Sequence, residues 1–156
     1  MAFKRWEYRG NRPNLFAKIQ NRGWAILHAL GIFPNYLVTL EVRGRQSGKV
    51  ISFPLVLTVL NGERYLVSML GEGTNWVRNV RAAEGNARLR HGKSEQVILQ
   101  EVDMSQRAPI LKAFLKHACG ARPHIPVSKD APLSEFETIA SKYPVFRIKR
   151  ATDHDD

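Results

Sequence analysis

Residues 37–60 read LVTLEVR, GRQSGK, VISFPLVLTVL: two β-type runs joined by a short cationic turn bracketed by glycines. The run from Leu37 to Arg43 alternates apolar and polar residues as a strand with one buried face does, and Val50 to Leu60 is nearly all β-formers. A hairpin tip therefore falls on Gly44–Lys49. Its glycines permit positive φ and leave backbone N–H groups unobstructed. Arg45 and Lys49 add cations and Ser47 a hydroxyl, a set suited to phosphate or carboxylate oxygens. The competing reading is a solvated hairpin whose charges only keep it soluble. A phosphate loop of the NTPase kind is excluded, because three residues rather than four separate the glycines and a strand, not a helix, follows.

Outward from this hairpin the chain keeps to short local elements. Asn61-Gly62 is a hairpin turn leading to a strand from Arg64 to Met69. Pro54 marks a bulge or an edge in the long strand, since proline cannot donate to a ladder. A Leu-Gly-Glu-Gly-Thr-Asn loop then caps a short helix, about Asn75 to Ala83, ended by Gly85. Strands over Ala87–His91 and Gln96–Val102 follow, joined at Gly92-Lys93. Ser105 opens a helix to about Ala118, and a proline-rich stretch covers 119–133. Ser134 and Glu137 read as a capping box for a helix to about Lys142, and Val145–Ile148 is a last strand. Toward the N-terminus, residues 1–12 are basic and read as mobile. Pro13 to Leu30 carries a helical pattern weakened by Gly23, at about 1 kcal/mol relative to alanine. The expected organisation is one α+β domain over 13–150, an antiparallel six-stranded sheet closing into a small barrel, with an acidic tail over 151–156.

Composition narrows the chemistry. The chain has 156 residues, 44% hydrophobic and 24% charged, with a formal net charge of +10. That excess attracts anions: a phosphorylated or polycarboxylate ligand, nucleic acid, or an anionic membrane surface. The single cysteine, Cys119, forms no intrachain disulfide and suits a reducing cytoplasm. WAILHALGIF, interrupted by His28 and without a small-x-small cleavage site, is not read as a signal peptide, and no apolar run is long enough to span a membrane. The histidines are scattered, so no metal site is expected. No nucleophile–base arrangement or paired acids stand out, so no catalytic residue is assigned, and a cofactor would have to carry any redox chemistry.

Taken together, GRQSGK, the Pro54-Leu55 pair, Leu66-Val67-Ser68 with its glycine loop, and Trp76-x-x-Asn79-Val80-x-Ala82 resemble the deazaflavin-dependent nitroreductase and quinone reductase family, over about residues 37–102. The resemblance implies a split β-barrel like those of flavin reductases. It further implies a reduced 8-hydroxy-5-deazaflavin coenzyme (coenzyme F-420) and hydride transfer to a quinone, an enone or a nitro compound. Carried over by position, it implies that Arg45, Ser47, Gly48 and Lys49 engage the anionic end of the coenzyme. Pro54, Leu55, Met69, Leu70 and Gly71 would line the ring-side groove, with Trp76 and Asn79 closing it. Trp76 also reads as an ordinary core residue of an amphipathic helix. The chain departs from the family at Ile51, where an arginine is usual, at Leu70, near a common lysine, and at Val77, where an aromatic is usual. Arg78 and Arg81 are candidates to replace the lost cations, although helix geometry carries them away from Trp76. The departures leave FMN as an alternative cofactor. They also leave a non-catalytic protein that holds a flavin-like or lipid ligand, its basic N-terminal helix resting on a membrane. A homodimer is expected because split barrels often pair to complete a groove. Nucleic acid is not expected as a partner, since the basic residues are not interleaved with aromatics in a recognised motif.

Overall fold

The computed structural model describes residues 36–118 and 125–151. The expected basic segment, the helix over Pro13–Leu30 with its membrane contact, Cys119 and the acidic residues 152–156 lie outside them.

Six strands form: β1 (Leu37–Arg43), β2 (Val50–Leu60), β3 (Glu63–Val67), β4 (Asn86–His91), β5 (Lys93–Glu101) and β6 (Val145–Arg150). Among the described residues three α-helices accompany them: α1 (Asn75–Ala82) between β3 and β4, then α2 (Ala108–His117) and α3 (Leu133–Ile139) between β5 and β6. The strands close into a barrel in the order β1-β2-β3-β6-β5-β4, every pairing antiparallel, with β4 returning to β1. The fold is thus the α+β barrel that the hairpin pattern implies. Among the described residues no helix is long and apolar enough to cross a membrane.

β2 explains its own composition. Leu57 points into the barrel with Val38, Leu40, Leu66, Leu89 and Leu99, while its neighbour Val56 points outward into a second cluster under α2 and α3. A strand covered on both faces reads as a continuous apolar run rather than an alternating one. Leu111, Phe114 and Leu115 of α2 and Phe136 of α3 fill the outer cluster. α1 closes one end of the barrel with Trp76, Val77 and Val80, and Trp76 packs on Phe146 at 5.5 Å between centroids. Burying such a side chain contributes on the order of 2–3 kcal/mol. Gly85 turns the chain from α1 into β4 at φ +83, and a Cβ there would collide with the Leu99 carbonyl, so only glycine fits.

Four local expectations change. The strand expected over Arg64–Met69 spans Glu63–Val67, because Ser68 leaves β2 for Pro144. The one expected over Gln96–Val102 spans Lys93–Glu101, because His91 pairs with Lys93 and the chain turns at Gly92. The helix after β5 begins at Ala108 rather than Ser105. Asp103 caps a 3-10 turn over Met104–Gln106 by accepting from the Ser105 N–H, and Pro109 suits the first turn of α2 because its missing N–H would have no helical partner. The Ser134–Glu137 capping box does not form: α3 is entered from Pro132 with no side-chain cap, and Ser134 lies inside its first turn. The helical stretch also ends in a separate 3-10 turn, Ala140–Lys142. A buried arginine explains why this region holds together. Arg107 donates to the carbonyls of Val102, Ala140 and Tyr143 and to Glu101 Oε2. Buried positive charge is tolerable here because these four acceptors receive its N–H groups.

Candidate functional site

The site begins where two strands part. β2 and β3 pair only from Leu57↔Leu66 to Leu60↔Glu63. Continued by two or three steps, this register would set Leu55 opposite Ser68 and Pro54 opposite Met69. Instead the Ser68 N–H donates to the Pro144 carbonyl, which turns the chain away from β2. The lower half of β2 pairs with β1 on one side and has no strand on the other among the described residues. Pro54 sits in that half, at an edge, as its missing N–H requires. Pro54-Leu55 and Met69-Leu70-Gly71 thus flank a split in the barrel wall.

The cationic turn lies at the N-terminal end of β2. Gly44 N–H donates to Lys49 O at 2.6 Å and Gly48 N–H to Gly44 O at 2.9 Å, which fixes the loop. Gly48 has φ +72 with open space around it, and its carbonyl accepts from Arg43 Nη1 at 2.7 Å. Ser47 Oγ accepts from the Lys49 N–H at 3.2 Å, so the hydroxyl stabilises the turn itself. Arg45, Ser47, Gly48 and Lys49 are all exposed. Arg45 is nevertheless tethered: its backbone N–H and its Nη1 both donate to Asn79 Oδ1, at 3.2 and 2.8 Å. Asn79 is 2% exposed, so a buried amide on α1 orients an exposed guanidinium.

Across the split, Ser68 Oγ donates to Gly71 O at 2.7 Å and lies 3.1 Å from Thr74 Oγ1, which holds the glycine loop to the start of α1. Gly71 adopts φ +96, and Leu70 is exposed at the tip. Glu72 on the same loop pairs with Arg81 at 2.8 Å, and Arg81 also pairs with Glu101 at 2.8 Å. The Arg81 hydrogen bond, with Arg107 nearby, lowers the Glu101 carboxyl below its ordinary range, and the two acids raise Arg81 further above its own. Burial pushes the Tyr143 phenol up.

Of the residues carried over by position, the structure joins Arg45 to Asn79 and gathers Ser47, Gly48 and Lys49 on one turn. Leu55 is half-buried against the barrel core and Met69 against the outer cluster, so they meet the split from different sides of the wall. Trp76 is 5% exposed and belongs to the barrel core. Ile51, in place of a cation, folds its Cδ1 over the turn, 2.9 Å from where a Cβ on Gly44 would stand. The Ser68–Thr74 clamp and the Arg107 lock carried no signal in the sequence, because their partners are set by strand register rather than local pattern. The turn has the chemistry of an oxyanion site. Its guanidinium is held in place before any ligand arrives, and the open φ-positive Gly48 admits close approach of an oxyanion.

The chain matches no family model and no curated protein. Solved structures resemble it. An F420-H2-dependent reductase (FDR-A) has 22% identity and a TM-score of 0.52 over 76% of this chain and 97% of its own. A protein described as a domain-swapped dimer has 18% identity and a TM-score of 0.53 over 88% and 99%. A pyridoxamine 5′-phosphate oxidase-like protein from Listeria innocua has 13% identity and a TM-score of 0.51 over 86% and 94%. With its closed antiparallel barrel of six strands and its flanking helices, this chain has the split-barrel fold that these structures share.

Proposed function

We propose that the chain is an oxidoreductase that holds a flavin-type coenzyme along the β2–β3 split, and that this coenzyme is reduced 8-hydroxy-5-deazaflavin (coenzyme F-420). The observation that carries the reading is the tether of Arg45 to buried Asn79, which prepares a cation at the mouth of an unpaired strand edge. Similarity to an F420-H2-dependent reductase supports the choice of coenzyme. In this reading Arg45 and Lys49, with Ser47 and Gly48, hold the anionic end. Pro54 and Leu55 on one lip and Met69, Leu70 and Gly71 on the other bracket the apolar ring and keep water from it. Asn79 fixes Arg45, and Trp76 supports α1 from within the core. When bound, the coenzyme supplies a hydride, and the acceptor is a small electrophile such as a quinone, an enone or a nitro compound. The protein contributes orientation rather than a reacting side chain. A reducing cytoplasm suits this chemistry, and we take the chain to work as a homodimer.

The test is a fluorescence titration with oxidised and reduced coenzyme F-420, with FMN in parallel. Micromolar binding is expected, weakened about tenfold or more when Arg45 and Lys49 are both changed to alanine. Preferential binding of FMN would correct the coenzyme and keep the site. If neither binds, the oxidoreductase reading fails and the non-catalytic carrier of a flavin-like or lipid ligand takes its place.

A further inference from the structure

The lip of the split opposite the cationic turn has its own cation. Arg78 on α1 is exposed, and its Nη2 lies 3.9 Å from where a Cβ on Gly73 would stand. The guanidinium therefore folds back over the glycine loop, the direction in which helical side chains lean. No described residue takes it as an ion-pair partner. Arg81 differs: Glu72 and Glu101 occupy it from two sides, which also neutralises Glu72, the acid on the loop itself. The backbone of the 3-10 turn over Ala140–Lys142 backs the loop, with the Lys142 carbonyl 3.5 Å from where a Cβ on Gly71 would stand. The loop is preorganised by the Ser68, Thr74 and Gly71 hydrogen bonds. Arg78 and Asn79 are consecutive on α1, about 100° apart around its axis, so one short helix orients a cation on each lip.

We infer that Arg78, over the Gly71–Gly73 loop, forms a second oxyanion subsite, which takes a phosphate or carboxylate of the ligand whose first anionic group sits at the Arg45 turn. The inference rests on the proposed function for the identity of that ligand, but not for the existence of the subsite. It explains how the chain tolerates Ile51 and Leu70 in place of cations: the charge is delivered from the helix instead of from the strand and the loop. It also implies selection for ligands with two separated anionic groups over those with one.

Arginine Nε–Hε resonances, with that of Arg78 assigned through R78Q, are followed while inorganic phosphate or triglutamate is added. Coenzyme F-420 is titrated in parallel against the unaltered protein, R78Q and G73D. A Cβ at Gly73 meets no atom nearer than Arg78 Nη2, so the aspartate is accommodated and offers Arg78 an internal carboxylate. A saturable shift of the Arg78 resonance is expected, and the anion that produces it at lower concentration identifies the group recognised. R78Q and G73D should each weaken the coenzyme about fivefold, as loss of a half-exposed charged contact does, and leave the deazaflavin lacking its anionic tail unaffected. If the resonance is still with both anions, or R78Q binds the coenzyme as the unaltered protein does, the subsite is wrong, while an effect of Arg45 and Lys49 would keep the proposed function. If the coenzyme does not bind but the Arg78 resonance moves, the subsite stands and the proposed function fails.

Discussion

Asn79 is a polar side chain placed where α1 otherwise buries Trp76, Val77 and Val80. A buried amide without partners would be costly, and Arg45 supplies donors from both its backbone and its guanidinium. Changing Asn79 to alanine leaves those donors to solvent and frees the turn. Stability should fall by about 1–2 kcal/mol, and coenzyme affinity several-fold although Arg45 is intact. Calorimetry and the fluorescence titration read these separately, and unchanged affinity would assign the tether to folding alone. Thr58 is the opposite case. It is 0% exposed on β2, and its Oγ1 has no hydrogen-bond partner among the described residues. Thr58→Val keeps the shape and removes an unsatisfied hydroxyl, so it should stabilise by about 1 kcal/mol in urea unfolding. A loss of stability would show that the hydroxyl is satisfied.

Between elements, the ion pairs run Glu72–Arg81–Glu101–Arg107, from the glycine loop through α1 and the end of β5 to the start of α2. Glu101 is the shared acid, and its folded pKa lies below its ordinary value of 4.5, chiefly through the Arg81 hydrogen bond. A carboxylate shifted this way stabilises the fold at any pH above its unfolded value, and the contribution disappears as pH falls through the lowered folded value. The urea midpoint of the unaltered protein should therefore drop below about pH 4.5. Glu101→Gln should start lower at neutral pH and lose less on acidification. A residual slope is expected, because Glu95 is lowered likewise by Arg64. Identical acid profiles would mean that the network carries no net stability. Element boundaries also show what local pattern misses: Ser134 and Glu137 have capping spacing, yet Pro132 enters α3 and Arg107 decides how the following turn is held.

For the whole molecule, the homodimer is the expectation that most directly bears on the site, since a partner's residues would sit near an open split. Light scattering after size exclusion should give about twice the monomer mass at micromolar concentration, and a monomer under those conditions would confine the site to one chain. The number and order of the strands, and hence the antiparallel barrel, could be read from the sequence, whereas the ends of β3 and the start of β5 could not. β1 and β2 occupy the spans that alternation and glycine placement predict, because period and turn conformation act over a few residues. The cationic turn was legible for the same reason, as a run of charge and glycine with no need of distant partners. The tertiary structure alone decided where β3 leaves β2, that Asn79 reaches Arg45 across 34 residues, that Arg81 is occupied by acids while Arg78 lies over Gly73, and that Arg107 is buried. These contacts are products of barrel closure and strand register. No local pattern records which distant groups closure brings within hydrogen-bonding distance.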